Sequence, residues 1–185
     1  MSSLATRPLG ELVRELAARS PTPGGGAAAA VTAALGCAAG AMAARYTTGS
    51  KWADRAEAAQ ALAMALDSAA HRLMALADED EAAFANAQTA RRAGDAAAQA
   101  AAETQAMAVP QQVLALCADQ AVALSAFAPR CNPQLLSDVR VGVHLLAGAG
   151  RAAWSTVLAG SPDAAVHASS SPLLAALRQS EEQVG

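Results

Sequence analysis

Alanine dominates this sequence and narrows the folds that it can adopt: 55 of its 185 residues are alanine, and isoleucine is absent. Alanine has the highest intrinsic helix propensity of the amino acids. Aromatic residues, which favour strands, make up only 3% of the chain, so the composition disfavours a β-sandwich or a β-barrel. A chain of this length can bury one apolar core. We therefore predict a single all-α domain over residues 1–185.

Apolar periodicity and breaker residues divide the chain into a bundle of five to six helices, one of which is long. Helices terminate at clusters of proline and glycine, because proline lacks the backbone hydrogen-bond donor and glycine favours other conformations. The core is assigned to about 8–160 and a C-terminal helix to 161–180. A kink is expected at Pro110, an interruption near Pro172 and a loose end after Ser180. The five preceding helices are predicted over Leu9–Arg19, Gly26–Thr47, Lys51–Arg91, Asp95–Phe127 and Asn132–Leu158.

The charge balance and the hydropathy pattern argue against two classes of partner. Thirteen basic residues against sixteen acidic ones give a net charge of −3, so the chain lacks the basic surface that a nucleic acid requires. The stretch Gly24–Ala44 carries no charge and is about as long as a membrane span, but its large apolar residues are only Val31, Leu35 and Met42. We expect a buried central helix here and no membrane partner; an alanine- and glycine-rich membrane helix is the weaker alternative.

The three cysteines, Cys37, Cys117 and Cys131, are odd in number and form no CxxC pair. This pattern indicates a reducing compartment rather than a disulfide framework. The first residues lack the basic and then apolar pattern of a secretory signal, so we expect a cytoplasmic protein. The histidines show none of the spacings typical of zinc sites, and no metal site is predicted.

Two aspartates fall on helix faces that otherwise carry apolar side chains. At 100° per residue, Asp80 lies only about 20° around its helix from Leu73. Asp138 lies on the side of its own helix that carries Leu145, about 160° from Arg140. A buried carboxylate costs several kcal/mol unless it is paired, hydrogen-bonded or protonated. Each aspartate therefore either binds a neighbouring helix or serves acid–base chemistry, and both alternatives stay open.

A glycine-rich turn and a lysine flank the alanine-rich helix. Pro23 and the three glycines at 24–26 precede this helix, where backbone amides can face an anion or a ring edge, although a plain tight connection is also possible. Lys51 follows the helix. It either binds a ligand carboxylate or, together with Arg45, complements the negative end of the helix dipole.

Four segments in this order resemble the cyclodeaminase/cyclohydrolase family, which includes the cyclodeaminase domain of formiminotransferase-cyclodeaminase and a bacterial methenyltetrahydrofolate cyclohydrolase. The resemblance covers about residues 8–160 and implies an all-helical homodimer that binds a tetrahydrofolate derivative as its substrate, with no tightly bound cofactor. The four segments are Leu9–Gly26 with its proline and triple-glycine end, Tyr46–Lys51, Asp78–Phe84 and Asn132–Asp138.

The resemblance also implies a set of site residues. Asp138 is assigned as the acid/base or as the stabiliser of a cationic carbon, and Asp80 as its assistant or as a group that recognises the pterin. Lys51 is assigned to the glutamate tail of the substrate. The residues assigned to substrate binding are Pro23, Gly24, Gly25, Gly26, Lys51, Asp78, Asn132 and Ser137.

Two reactions fit these assignments. Hydrolysis of 5,10-methenyltetrahydrofolate to 10-formyltetrahydrofolate would make the protein a hydrolase, and cyclodeamination of 5-formiminotetrahydrofolate with release of ammonia would make it a lyase. The sequence departs from the family at Ala27, where a serine is common, and at Ser155 and Ala159, where two asparagines are common. These departures motivate an alternative function as a non-catalytic, dimeric folate-binding or scaffold protein of one-carbon metabolism.

Overall fold

Alanine-rich helices account for most of this structure, a computed structural model that describes residues 3–185. Those residues contain no strand, which confirms the all-α prediction with one long helix. Short 3-10 turns occupy several of the connections. The six α-helices are α1 (Leu9–Ala17), α2 (Gly25–Arg45), α3 (Ala56–Ala93), α4 (Ala96–Phe127), α5 (Leu136–Ala159) and α6 (Ala164–Val184).

Helix α2 lies between α3 and α5 and also touches α4. Its glycines allow this close packing. A methyl group at Gly36 would lie 3.0 Å from the Gly142 carbonyl oxygen of α5, and one at Gly40 would lie 2.7 Å from a methyl carbon of Leu124 of α4. Small residues let helix backbones approach one another, so α2 packs closely against its neighbours as the buried central helix that the sequence predicts.

Long helices α3 and α4 form an antiparallel hairpin that turns at Gly94. Gly94 has φ +72°, a left-handed conformation that favours glycine at the end of a helix. The Asp95 carboxylate then accepts hydrogen bonds from the Ala97 and Ala98 amides at 3.0 and 3.1 Å, which caps α4. This hairpin is the break that the sequence predicts near residue 94.

The C-terminal region differs from the expectation. Helix α6 continues through Pro172 and ends only at Val184, so the predicted interruption and the loose end are both wrong. The end is fixed because Val184 is buried and its carbonyl oxygen accepts a hydrogen bond of 2.6 Å from Nε of Arg140. Helix α4 remains one helix across Pro110, because tertiary packing of both flanks outweighs the missing hydrogen bond. The kink expected at Pro110 stays a prediction.

Two segments are long and apolar enough to cross a membrane by length and composition alone: Gly25–Arg45 and Ala96–Arg130. In the folded chain, 61% of the apolar window of the first and 50% of that of the second is buried inside the protein. Such burial is typical of core helices, and it agrees with the central position of α2.

Candidate functional site

A cavity of about 760 Å³ opens where the N-terminal end of α2 meets α3, α4 and the C-terminal end of α5. This volume lies within the usual range for sites of small organic ligands. Three sequence-predicted glycines and one predicted aspartate line it, namely Gly24, Gly25, Gly26 and Asp80. The structure therefore brings the glycine turn and the acidic segment together, although they are more than fifty residues apart.

Helix α3 supplies one wall of the cavity through side chains on a single face. Asp80, Phe84, Ala87 and Arg91 all line it. They are spaced by four, three and four residues, which places them in one row along a helix. The facing wall contains Met107 and Pro110 of α4, while α5 contributes Ser155, Thr156 and Ala159 at its C-terminal end.

Asp80 is bound to the first turn of α2. One of its carboxylate oxygens accepts a hydrogen bond of 3.0 Å from the Ala27 amide. A methyl group at Gly26 would lie 2.1 Å from the other oxygen, so only glycine leaves room for the carboxylate at this position. The amides in the first turn of a helix have no partners within that helix, and they favour a negative group.

Burial raises the pKa of the Asp80 carboxyl above its ordinary value. The hydrogen bond from Ala27 acts in the opposite direction, and the neighbouring charge of Glu81 raises the pKa further. A carboxyl group whose pKa moves toward neutrality can both take up and release a proton during a reaction.

Glu81 is the most deeply buried acidic residue among those that the structure describes, at 5% exposure. Helical periodicity places Glu81 at the edge of the apolar face of α3 and does not predict that its side chain is buried. Its partner is Arg7, at 3.3 Å, which also pairs with Glu15 at 2.7 Å. A contact between residues seventy-four positions apart leaves no local signal, so sequence reasoning could not find it.

Asp78 lies outside this cavity and binds the N-terminal segment. Its two oxygens accept hydrogen bonds of 2.6 Å from the Ser3 hydroxyl and 2.7 Å from the Leu4 amide. Pro23 is buried beside a second cavity, which it lines together with Arg7 and Glu81. The assignment of Asp78 and Pro23 to substrate binding stays a prediction, and neither residue lines the first cavity.

The remaining predicted residues lie at the other end of the α2–α5 pair. The two helices run antiparallel, because Gly25 lies beside Thr156 and Gly36 beside Gly142. Asp138, in the first turn of α5, is therefore level with the C-terminal end of α2 and roughly 24 Å along that helix from the Asp80 end. Within one chain the two aspartates do not share a cavity.

Three of the predicted residues at this end take part in local contacts or face solvent. Asn132 accepts a hydrogen bond of 3.1 Å from the Gln134 amide and so caps a 3-10 turn rather than α5. Its side-chain amide donates to the carbonyl oxygen of Tyr46 at 3.3 Å. Lys51 is exposed, with Nζ 5.1 Å from the ring centre of Trp52, and Ser137 is exposed too.

Sequence reasoning did not name several residues that line the cavity, Arg91 above all. The eleven-residue interval from Asp80 to Arg91 corresponds to about 20° around a helix. The sequence therefore shows that Arg91 shares a helix face with Asp80, but this does not indicate a binding role until the cavity is known. Among residues 3–185, no group of three His, Cys, Asp or Glu side chains lies close enough to hold a metal ion.

Comparison with known proteins agrees with this geometry. The family model described as formiminotransferase-cyclodeaminase matches residues 8–168. No curated protein matches the chain. Among solved structures, the chain is similar to formiminotetrahydrofolate cyclodeaminase from Thermotoga maritima, with a TM-score of 0.89 and 26% identity, over 97% of this chain and 94% of that one. Family and fold both point to folate one-carbon chemistry of the cyclodeaminase/cyclohydrolase type. The chain belongs to the formiminotransferase-cyclodeaminase family.

Proposed function

We propose that the protein is an enzyme that closes or opens the one-carbon bridge between N5 and N10 of tetrahydrofolate, with cyclodeamination of 5-formiminotetrahydrofolate as its reaction. One observation carries this proposal: a half-buried carboxylate of raised pKa, Asp80, is held at a helix N-terminus inside a ligand-sized cavity. The similarity to a formiminotetrahydrofolate cyclodeaminase favours this reaction over hydrolysis.

The reaction needs one group that moves a proton without leaving the site. N10 attacks the carbon of the formimino group, whose nitrogen is protonated, and forms a new C–N bond. The N10 proton must then reach the departing nitrogen, which leaves as ammonia with the electron pair of the broken bond and leaves the cationic methenyl bridge. We assign this transfer to the Asp80 carboxylate, which accepts the proton from N10 and returns it to the leaving group.

The same carboxylate suits the hydrolytic alternative. Water attacks the methenyl carbon, Asp80 accepts one proton from it, and the bond from carbon to N5 breaks while N5 becomes protonated. One proton is released to solvent overall. Both reactions share a carbon bonded to N5 and N10 and a positive charge that a nearby carboxylate stabilises.

The departures from the family pattern leave the main interaction of Asp80 intact. At Ala27 the group that binds Asp80 is the backbone amide, so a serine side chain is not needed for this hydrogen bond. Ser155 keeps a hydroxyl on the cavity wall. These observations favour an enzyme over the non-catalytic folate-binding or scaffold alternative.

We also propose that the working form is a homodimer that covers the exposed face of α2. Leu35 of α2 and Tyr46, which caps its C-terminal end, are 52% and 63% exposed, and Val141 of the adjoining α5 is 50% exposed. An uncharged apolar face of this kind is typical of an interface between subunits. A twofold axis near Leu35 would exchange the two ends of α2, and it would bring Asp138 of the partner subunit to the end that holds Asp80.

The cysteines bear on localisation. Cys37, Cys117 and Cys131 are unpaired and buried, which agrees with a reducing compartment. We accordingly propose a cytoplasmic enzyme that receives its folate substrate from solution.

Two parallel spectrophotometric assays test the function. Purified protein is expected to form methenyltetrahydrofolate from 5-formiminotetrahydrofolate faster than the uncatalysed reaction does. Loss of methenyltetrahydrofolate in the second assay, without activity in the first, would identify the hydrolase instead. Calorimetric binding of a reduced folate without turnover in either assay would support the non-catalytic alternative and contradict the proposal.

A second prediction concerns Gly26. We expect Gly26→Ala to push the Asp80 carboxylate away from Ala27, because the added methyl group would lie 2.1 Å from one of its oxygens. The carboxylate is the free end of a side chain and can move, so turnover should fall by about tenfold or more while the protein stays folded.

Gly10→Ala is the matched control for this prediction. Gly10 lies in α1, and an added methyl group there would meet nothing within 4 Å, so turnover should stay at the wild-type value, and the melting temperature should stay the same or rise slightly because alanine has the higher helix propensity. Unchanged turnover in Gly26→Ala would show that the position of Asp80 does not matter for the reaction.

A further inference from the structure

The α3 wall of the cavity carries opposite charges at its two ends, and this arrangement resembles the charge distribution of a reduced folate. Asp80 stands at the inner end, beside the first turn of α2. Arg91 stands on the same face of α3, eleven residues further and roughly 16 Å along the helix. Phe84 lines the cavity between them. An acidic end, an aromatic middle and a basic end thus follow one another along one wall.

A bridged folate is charged in the same sequence. Its cationic one-carbon bridge lies next to the pterin, an aminobenzoyl ring follows, and the glutamate carboxylates lie at the far end. A cation near Asp80 and carboxylates near Arg91 would each meet an opposite charge, whereas the reversed orientation would place like charges together at both ends. The exposed Phe84 ring offers a stacking surface for the aromatic middle.

From this geometry we infer that Arg91 binds the glutamate carboxylates of the folate substrate and thereby sets its orientation in the cavity. The inference rests on the proposed function. It also replaces Lys51 as the tail-binding residue within one chain, because Lys51 lies at the opposite end of α2 and contacts Trp52. Guanidinium groups suit this task, since they bind carboxylates with two parallel hydrogen bonds.

Glu103 forms an ion pair with Arg91. Nη2 of Arg91 lies 2.9 Å from Oε1 of Glu103, and Nε2 of Gln99 donates to the same oxygen at 2.9 Å. Glu103 also lines the cavity. It therefore competes with the incoming carboxylate for the guanidinium. The Arg91 side chain is 64% exposed, so it can reach both Glu103 and a ligand.

The test compares two ligands that differ only in the tail. Calorimetry measures the Kd of 5-formyltetrahydrofolate, which carries glutamate, and of 5-formyltetrahydropteroate, which lacks it. We expect Arg91→Gln to weaken binding of the glutamate form by about tenfold, the effect of losing one charge-assisted contact, and to leave binding of the pteroate form unchanged.

Two further variants make the test specific. Glu103→Gln removes the competing charge, and we expect it to tighten binding of the glutamate form severalfold without an effect on the pteroate form. Loss of structure does not produce a gain of this kind. Arg92→Gln is the matched control, because Arg92 is the exposed neighbour outside the cavity lining, and it should change neither Kd.

Each contrary outcome has a separate meaning. If Arg91→Gln weakens both ligands equally or neither ligand, this inference is overturned and the proposed function stands. If Lys51→Gln shows the tail-selective loss instead, Lys51 of the same chain or of the partner subunit binds the tail in place of Arg91, which also overturns it. If the wild-type protein binds neither folate, the proposed function fails and the inference fails with it.

Discussion

Asp80→Asn is expected to lower kcat by roughly 10²- to 10⁴-fold, the usual contribution of a positioned general acid–base group. The amide keeps the shape of the side chain, and its oxygen can still accept the hydrogen bond from Ala27, but it can no longer carry a proton. The loss should therefore appear mainly in kcat, with a smaller change in KM. Steady-state kinetics with 5-formiminotetrahydrofolate measures both constants.

The pH profile provides a second readout for Asp80. Because burial raises the pKa of this carboxyl, the fraction that is ionised, and hence able to accept a proton, increases with pH through a range above the ordinary pKa of aspartate. Wild-type kcat/KM should rise over this range, and the rise should be absent in Asp80→Asn. An identical acidic limb in both proteins would assign the titration to another group.

Stability separates a catalytic effect from unfolding. The pKa of Asp80 is higher in the folded than in the unfolded chain, so the contribution of this group to stability is full at pH values below the unfolded pKa and is lost as the pH rises through the folded pKa. Near neutrality Asp80→Asn should thus be at least as stable as the wild type, and the difference should shrink in acid. Urea unfolding at several pH values measures this, and a strongly destabilised variant would contradict it.

Helical periodicity placed Asp80 on the inward face of α3, and the structure agrees because this face packs against other helices of the same chain. The same reasoning placed Asp138 on an apolar face, where the structure finds it half-buried beside Val141, which is 50% exposed. An apolar face looks the same in sequence whether it packs against a helix of its own chain or is left for another molecule. Periodicity therefore cannot decide whether a carboxylate on an apolar helix face lies in the core of its own chain or at an interface with another molecule.

Contacts between distant residues set the other limit on what the sequence could reveal. The helix number, the Gly94 hairpin and the proximity of the glycine turn to an acidic segment were predictable, the first two from local patterns and the third from the family resemblance. The burial of Glu81 depends on Arg7, and the meaning of Arg91 depends on a cavity closed by α4 and α5. Neither leaves a trace in local periodicity, because each requires the helices to be packed first.

Asp80→Asn and Asp138→Asn are expected to restore activity to each other when they are combined in one dimer. If the site takes Asp80 from one chain and Asp138 from the partner subunit, each homodimeric variant lacks an intact site. A heterodimer of the two variants contains one site with both aspartates and one site with neither. Its activity should therefore be about half that of the wild-type dimer. Co-expression of the two chains with different affinity tags, followed by purification on both tags, isolates the heterodimer for assay.

The roughly 24 Å between the two ends of α2 makes this outcome informative. Two aspartates of one chain at this separation cannot act on the same carbon, so a site confined to one chain would use Asp80 alone, and both the heterodimer and homodimeric Asp138→Asn would then be active. Full activity in homodimeric Asp138→Asn would therefore remove Asp138 from the reaction and leave Asp80 alone. A dimer that carries Asp80→Asn in both differently tagged chains serves as the control, and it should stay inactive. Failure to recover any chain on both tags would contradict the homodimer itself.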